Sequence, residues 1–273
     1  MPAAYTAEHR QRAVEMYEGG ATSEEVGAAF GVSQTTMSEN LRNWGAKPRR
    51  TGPRRRLALK EDFFSVIDTE EKAYWLGFLA ADGCVSTTGA GNWLVELGLQ
   101  RTDRNHLIKF KAALGFAGAI DDYDTNDGHP ASRVRVACGV MATDLRRHGL
   151  VPNKTQGYKT PEVPADLRRH YYRGFFDGDG TIFAHQPLAS GWVGWTVGWV
   201  GPESVLEELK AWIFAETGLP GPALSHCGNT DVVMRLLYNG RPQPRAIASL
   251  LYSGAAVFLD RKHQRYLQLI SST

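Results

Sequence analysis

The chain has 273 residues, 42% of them hydrophobic and 22% charged, and a formal net charge of +2. This is ordinary globular composition, long enough for one large or two to three small domains, and no apolar run approaches a membrane span. Cys84, Cys138 and Cys227 have no paired spacing, which excludes a disulfide framework or a zinc cluster; they read as small buried hydrophobes in a reducing compartment.

Residues 5–44 read as three short helices. Thr6 caps the first, whose apolar positions are Ala13, Val14 and Met16 and which ends near Gly19 and Gly20. Thr22-Ser-Glu-Glu25 is a capping box that opens a second helix with Val26, Ala29 and Phe30 inward. Gly31-Val-Ser33 makes a tight turn, and Ser33 caps a third helix that buries Met37, Leu41 and Trp44. Helix, glycine turn, helix at this spacing resembles the helix-turn-helix modules of transposases and site-specific recombinases, which implies a small all-α DNA-binding domain over 1–46. Gln34, Thr35, Ser38 and Arg42 would then face base edges and phosphates. From Leu41 to Lys60 there are eight basic residues and no acid: Arg42, Lys47, Arg49, Arg50, Arg54, Arg55, Arg56 and Lys60. Interrupted by Pro48, Gly52 and Pro53, this run predicts a basic linker or arm over 47–66 that gains order along phosphates.

Two later segments repeat one another: Trp75-Leu-Gly-Phe-Leu-Ala-Ala-Asp82-Gly83 and, 97 residues on, Tyr172-Arg-Gly-Phe-Phe-Asp-Gly-Asp179-Gly180. Each apolar segment closes on Asp-Gly, so each acid is predicted in the last turn of a helix with the next glycine in a left-handed cap. Gly77 with Ala81, and Gly174 with Gly178, put small residues on one face of each helix. Two such helices can cross with their backbones nearly touching, which sets Asp82 beside Asp179. Paired carboxylates need a positive charge between them, and magnesium suits hard oxygen ligands at the negative ends of two helix dipoles. Asp177, two residues from Asp179, turns away and reads as a local polar contact.

After the first motif the chain reads as hairpin, helix, hairpin, helix. A strand starts at Cys84 to Ser86, residues 87–91 turn, and Asn92 to Gln100 return with Trp93, Val95, Leu97 and Leu99 on one face. Leu94, Glu96, Gly98 and Gln100 share the other. Asp103 caps a helix to Leu114, a hairpin carries Val134, Val136 and Cys138 inward with Arg133 and Arg135 outward, and Met141 to His148 close the half. The second half repeats this order. Trp195, Val197 and Trp199 answer Val95, Leu97 and Leu99, Glu203 answers Asp103, and Arg235 answers Arg135, each at an offset of 100.

The duplicated motif resembles that of the two-motif, monomeric LAGLIDADG homing endonucleases over roughly residues 70–269. The glycines are Gly77 and Gly174, the small residues Ala81 and Gly178, and the metal-binding acids Asp82 and Asp179; Ala80 departs, standing where the family has the aspartate that the second copy keeps as Asp177. The resemblance implies an α+β fold, a pseudo-twofold duplicated core with αββαββα in each half (67–160 and 161–273) and saddle-shaped antiparallel sheets. It implies a site-specific endonuclease that makes metal-dependent double-strand breaks in a long double-stranded DNA target and serves intron homing. In that scheme Asp82 and Asp179 hold magnesium, Lys154 and Lys262 support the two active sites, and Gln100 positions water, with Val200 as its symmetry mate. Arg133, Arg135 and Arg235 contact DNA from the saddle, joined by Gln34, Thr35, Ser38, Arg42, Arg49, Arg50, Arg54, Arg55 and Arg56 of the leading module and arm. The alternative on the same scaffold is a non-cleaving DNA-binding regulator or an RNA maturase. The expected setting is the cytoplasm, nucleoid-associated, in a prokaryotic or phage-infected host.

Overall fold

Side-chain caps decide where the first helices begin. In the computed structural model, which describes residues 5–19, 21–46, 57–89, 91–151, 160–185, 193–227 and 233–272, Thr6 accepts from the His9 amide to open α1 (Ala7–Glu18). Thr22 and Glu25 form the reciprocal capping box of α2 (Ser23–Ala29), and Ser33 accepts from the Thr36 amide to open α3 (Gln34–Asn43). Gly31 takes the turn between α2 and α3 at φ +68°, where a side chain would be strained. Ala13, Val26, Met37, Leu41 and Ala46 form the core of this unit. Ala29, expected inward, is exposed; its place is taken by Gly27, where a β-carbon would press to 2.8 Å on the Val32 carbonyl.

The chain divides into two units, Met1–Arg56 and Leu57–Thr273. The second begins inside the segment expected as basic linker. Phe63 and Phe64 are buried in the main core, and Lys60 is held by its own amide on the Leu114 carbonyl (2.8 Å) and its Nζ on the Ala113 carbonyl (3.0 Å). Arg49, Arg50, Arg54, Arg55, Arg56 and Lys154 lie outside the described residues.

The second unit is the predicted duplication. Its first half runs α4 (Glu70–Asp82), β1 (Gly83–Thr87), β2 (Trp93–Gln100), α5 (Arg104–Ala113), β3 (Asp121–Asp124), β4 (Pro130–Ala137) and α6 (Gly139–Arg147). The other half runs α7 (Arg168–Asp179), β5 (Thr181–Ala184), β6 (Trp195–Gly201), α8 (Glu203–Thr217), β7 (Ser225–His226), β8 (Met234–Gly240) and α9 (Pro242–Tyr252), followed by an additional helix, α10 (Asp260–Ser271). The strands form two four-stranded antiparallel sheets, ordered β1-β2-β4-β3 and β5-β6-β8-β7. One hydrophobic core joins both sheets to α4 and α7. In β2, Val95 and Leu97 are buried while Leu94, Glu96 and Gly98 lie on the open face, as the alternation predicts.

Strand register corrects the pairing of the halves. Glu96 stands between Cys84 and Arg135, and Gly198 between Thr181 and Leu237. Cys84 and Thr181 differ by 97, but Glu96 and Gly198 differ by 102. Trp195, Val197 and Trp199 therefore answer Trp93, Val95 and Leu97; Arg235 answers Arg133; and Val200 answers Gly98, so it is not the mate of Gln100. Offsets of 100 and 102 put the same faces inward, because strands alternate with period two, so the hydrophobic pattern cannot tell them apart.

Three further expectations change. Asp103 closes a 3-10 turn (Arg101–Asp103) without capping α5, because its carboxylate accepts from Arg261 at 2.8 Å; Glu203, its expected counterpart, opens α8. Cys138 is buried at the start of α6, but Cys84 is exposed and Cys227 half-buried. Gly83 and Gly180 are extended, φ −77° in both, because each leads straight into a strand. What requires glycine there is space: a β-carbon would stand 2.6 Å from the Leu79 carbonyl at Gly83 and 2.5 Å from the Phe176 carbonyl at Gly180.

Candidate active site at the crossing of two helices

The small-residue stripes bring α4 and α7 into backbone contact. A β-carbon at Gly77 would overlap the Tyr171 carbonyl and stand 2.9 Å from the Phe175 amide nitrogen. At Gly174 it would overlap the Tyr74 carbonyl and stand 2.8 Å from the Phe78 nitrogen. These contacts are the same pair exchanged, since Tyr74 and Tyr171, like Phe78 and Phe175, occupy matching motif positions. One turn on, a β-carbon at Gly178 would overlap that of Ala81 and lie 3.3 Å from Asp82 Oδ2. The Asp82 carboxylate thus rests over the residue preceding Asp179. Both acids are exposed and both end their helices.

Lys262 lies beneath them. It sits in the first turn of α10 and is only 3% exposed. Its Nζ donates to the carbonyls of Phe176 (2.6 Å), Gly178 (3.2 Å) and Gly180 (2.5 Å). An ammonium has three protons, and here three carbonyls around the end of α7 receive them. Burial lowers its pKa to about 8, opposed by Asp177, Asp82 and Asp179, so it carries its charge at neutral pH.

Behind the crossing lies a buried polar network. Asp177, expected as a local contact, is fully buried and binds over long range: it accepts from Tyr252 Oη (2.5 Å), Tyr74 Oη (2.7 Å) and the Leu259 amide (2.7 Å). Burial raises its pKa and holds both tyrosines well above their usual value. Arg173, also fully buried, donates to Glu70 across the crossing at 2.6 Å and to the carbonyls of Val257 and Leu251. Sequence reasoning missed Arg173; an arginine amid an apolar helix segment was the available signal, since such a charge needs a partner.

Gln100 is exposed at the end of β2, three residues and so about 10 Å of strand beyond Leu97, the partner of Gly83. Arg133 and Arg135 lie on the open face of the first sheet. Arg135 pairs with Asp121 at 2.8 Å, and the Arg133 guanidinium lies 4.6 Å above the Tyr123 ring, with Glu96 at 3.8 Å. Arg235 donates to the His226 carbonyl at 2.9 Å. In α3, Gln34, Thr35 and Arg42 are exposed and Ser38 is half-buried.

The donor set at the crossing fits a hard divalent cation. It offers two exposed carboxylates at the negative ends of two helices, few enough that phosphate and water would complete the shell. No cluster of three or more metal-binding side chains occurs among the described residues.

Comparison with family models and with curated proteins returned no match. Comparison with solved structures did. The LAGLIDADG meganuclease I-CpaMI, bound to uncleaved DNA, matches with a TM-score of 0.55 at 12% identity, covering 74% of this chain and 90% of that one. The meganuclease I-SmaMI, bound to uncleaveable DNA, matches with a TM-score of 0.52 at 11% identity over 72% and 88%. The same homing endonuclease bound to cleaved DNA gives 0.51 at 11% over 72% and 87%. At such identity the likeness is one of fold: the chain shares with these proteins the α+β architecture that here holds two four-stranded antiparallel sheets.

Proposed function

We propose that the chain is a site-specific homing endonuclease that makes magnesium-dependent double-strand breaks in a long DNA target. The observation that carries this reading is the glycine-to-backbone crossing of α4 and α7, which ends with Asp82 lying over Gly178 beside Asp179. A protein that only binds DNA gains nothing from two exposed carboxylates beside phosphates. The fold shared with DNA-bound meganucleases points the same way.

In this reading Asp82 and Asp179 hold the divalent cation, whose contribution is a more acidic bound water and neutralised charge at the reacting oxygens. Neither carboxylate need act as a base. Lys262 is a positioning residue: its three protons are committed to carbonyls, so it fixes the end of α7 and offsets the charge of both acids. The open faces of the two sheets meet the major groove. Arg133 and Arg135 exchange their acidic partners for phosphate or guanine, and Arg235 acts from the second sheet. The N-terminal unit adds contacts through Gln34, Thr35, Ser38 and Arg42, the basic residues of 47–56 neutralise phosphates, and Lys154 supports one active site. The protein works as a monomer.

The test is a cleavage selection on a randomised duplex library with magnesium, comparing wild type with Asp82→Asn and Asp179→Asn. Both variants are expected to lose double-strand cleavage by at least about 100-fold while binding changes little. Undiminished cutting by either variant would refute the assignment of the two acids.

A further inference from the structure

We propose that Asn239 is an adenine-reading residue of the second sheet, held in reading position by Thr196 and His185. This rests on the DNA-cleaving reading above and names a base that the site would demand. Thr196 in β6 pairs with Asn239 in β8, on the face opposite the buried Val197 and Tyr238. Thr196 is only 2% exposed, whereas Asn239 is exposed on the open face. The Thr196 hydroxyl donates to Asn239 Oδ1 at 2.5 Å and lies 2.8 Å from His185 Nε2. With its proton on the amide oxygen, Thr196 accepts from Nε2–H, so the chain runs His185 to Thr196 to Asn239 in one direction.

The amide oxygen of Asn239 faces Thr196, and Nδ2 makes no hydrogen bond among the described residues. The exposed amide therefore offers a donor and, on the second lone pair of Oδ1, an acceptor side by side. In the major groove adenine alone presents the complementary pair, N7 accepting and N6 donating; guanine offers two acceptors there. An amide already anchored by a buried hydroxyl also has less rotamer freedom to lose on binding.

The first sheet has no counterpart. The register that matches Thr196 with Asn239 matches Leu94 with Ala137, two apolar residues. The adenine requirement falls in one half of the target only, at one position.

The test uses the full chain without divalent cation, so that the readout is binding. Duplexes recovered from a randomised library should show adenine fixed at one position in one half of the site. Replacing that base by 7-deazaadenine, which removes the N7 acceptor, should weaken wild type and leave Asn239→Ala unaffected. Asn239→Ala should relax that position alone and lose about 5- to 150-fold in affinity for the preferred site, with its melting temperature little changed. Thr196→Val should weaken the same preference partially. Unaltered base preferences in Asn239→Ala, or wild-type indifference to 7-deazaadenine, would overturn the inference while leaving DNA recognition intact. Recovery of no preferred sequence by wild type would overturn the DNA-binding reading and this inference with it.

Discussion

Lys262 holds three backbone carbonyls at 3% exposure, and its proton is the cost of that position. Burial depresses its pKa from 10.5 to about 8, so between those values the unfolded chain binds more protons than the folded one. Stability contributed by this group therefore rises with pH across about 8 to 10.5. The span corresponds to about 3 kcal/mol. We predict that the unfolding free energy of wild type minus that of Lys262→Met is flat below pH 7 and climbs by up to about this amount across the window in urea titrations. A difference independent of pH would mean that the amine is solvated. At this scale the two motif acids were legible, because spacing and small neighbours mark them. The burial of Lys262 was not, since Asp260-Arg-Lys-His263 is a run of polar residues with no apolar member to mark an inward face. Arg173 and Asp177 were opaque for a related reason: Glu70 and Tyr74 each lie 103 residues away, and one sequence carries no record of which distant residues meet.

Between elements, the crossing of α4 and α7 rests on two glycines and one partly buried ion pair. Gly77→Ala and Gly174→Ala each drive a methyl into a carbonyl oxygen of the facing helix, and backbone cannot swing aside as a side chain can. Each should cost about 3 kcal/mol or more, at the upper end for overpacking, in denaturant melts. A loss under about 1 kcal/mol in either would show that the helices have room to separate. The Glu70 and Arg173 pair locks the start of α4 to α7 and to the Leu251 and Val257 carbonyls. Arg173→Met should cost about 3 to 5 kcal/mol by stranding a half-buried carboxylate, and adding Glu70→Gln should recover part of that loss. Additive losses in the double variant would mean that the two residues do not act as a pair. Most of this architecture was legible, because capping boxes, alternation and the duplicated motif are local signals. The register between halves was not, because turn length is free to vary in steps of two without moving a side chain to the wrong face.

Across the whole molecule, formal charge is nearly balanced at +2, yet the stretch from Leu41 to Lys60 holds eight basic residues and no acid. Lys60 belongs to the Leu57–Thr273 unit, where its ammonium is already held by the Ala113 carbonyl. The rest of that basic run therefore falls to residues 1–56, which the chain can lose without cutting into the larger hydrophobic core. On the first sheet Arg133 and Arg135 face Glu96 and Asp121, so that surface brings almost no net charge to DNA. If the sheets select sequence and the leading segment neutralises phosphates, removing 1–56 should separate the two properties. Every phosphate that the shortened protein no longer neutralises makes the slope of log affinity against log salt shallower by about 0.9. We predict that a protein starting at Leu57 binds its preferred site more weakly and with a salt slope shallower by about 3 to 6, while still cutting that sequence at high protein concentration. Measured affinities at several salt concentrations decide it: an unchanged slope would assign the electrostatic term to the sheets, and loss of sequence choice along with the slope would assign recognition to the leading unit.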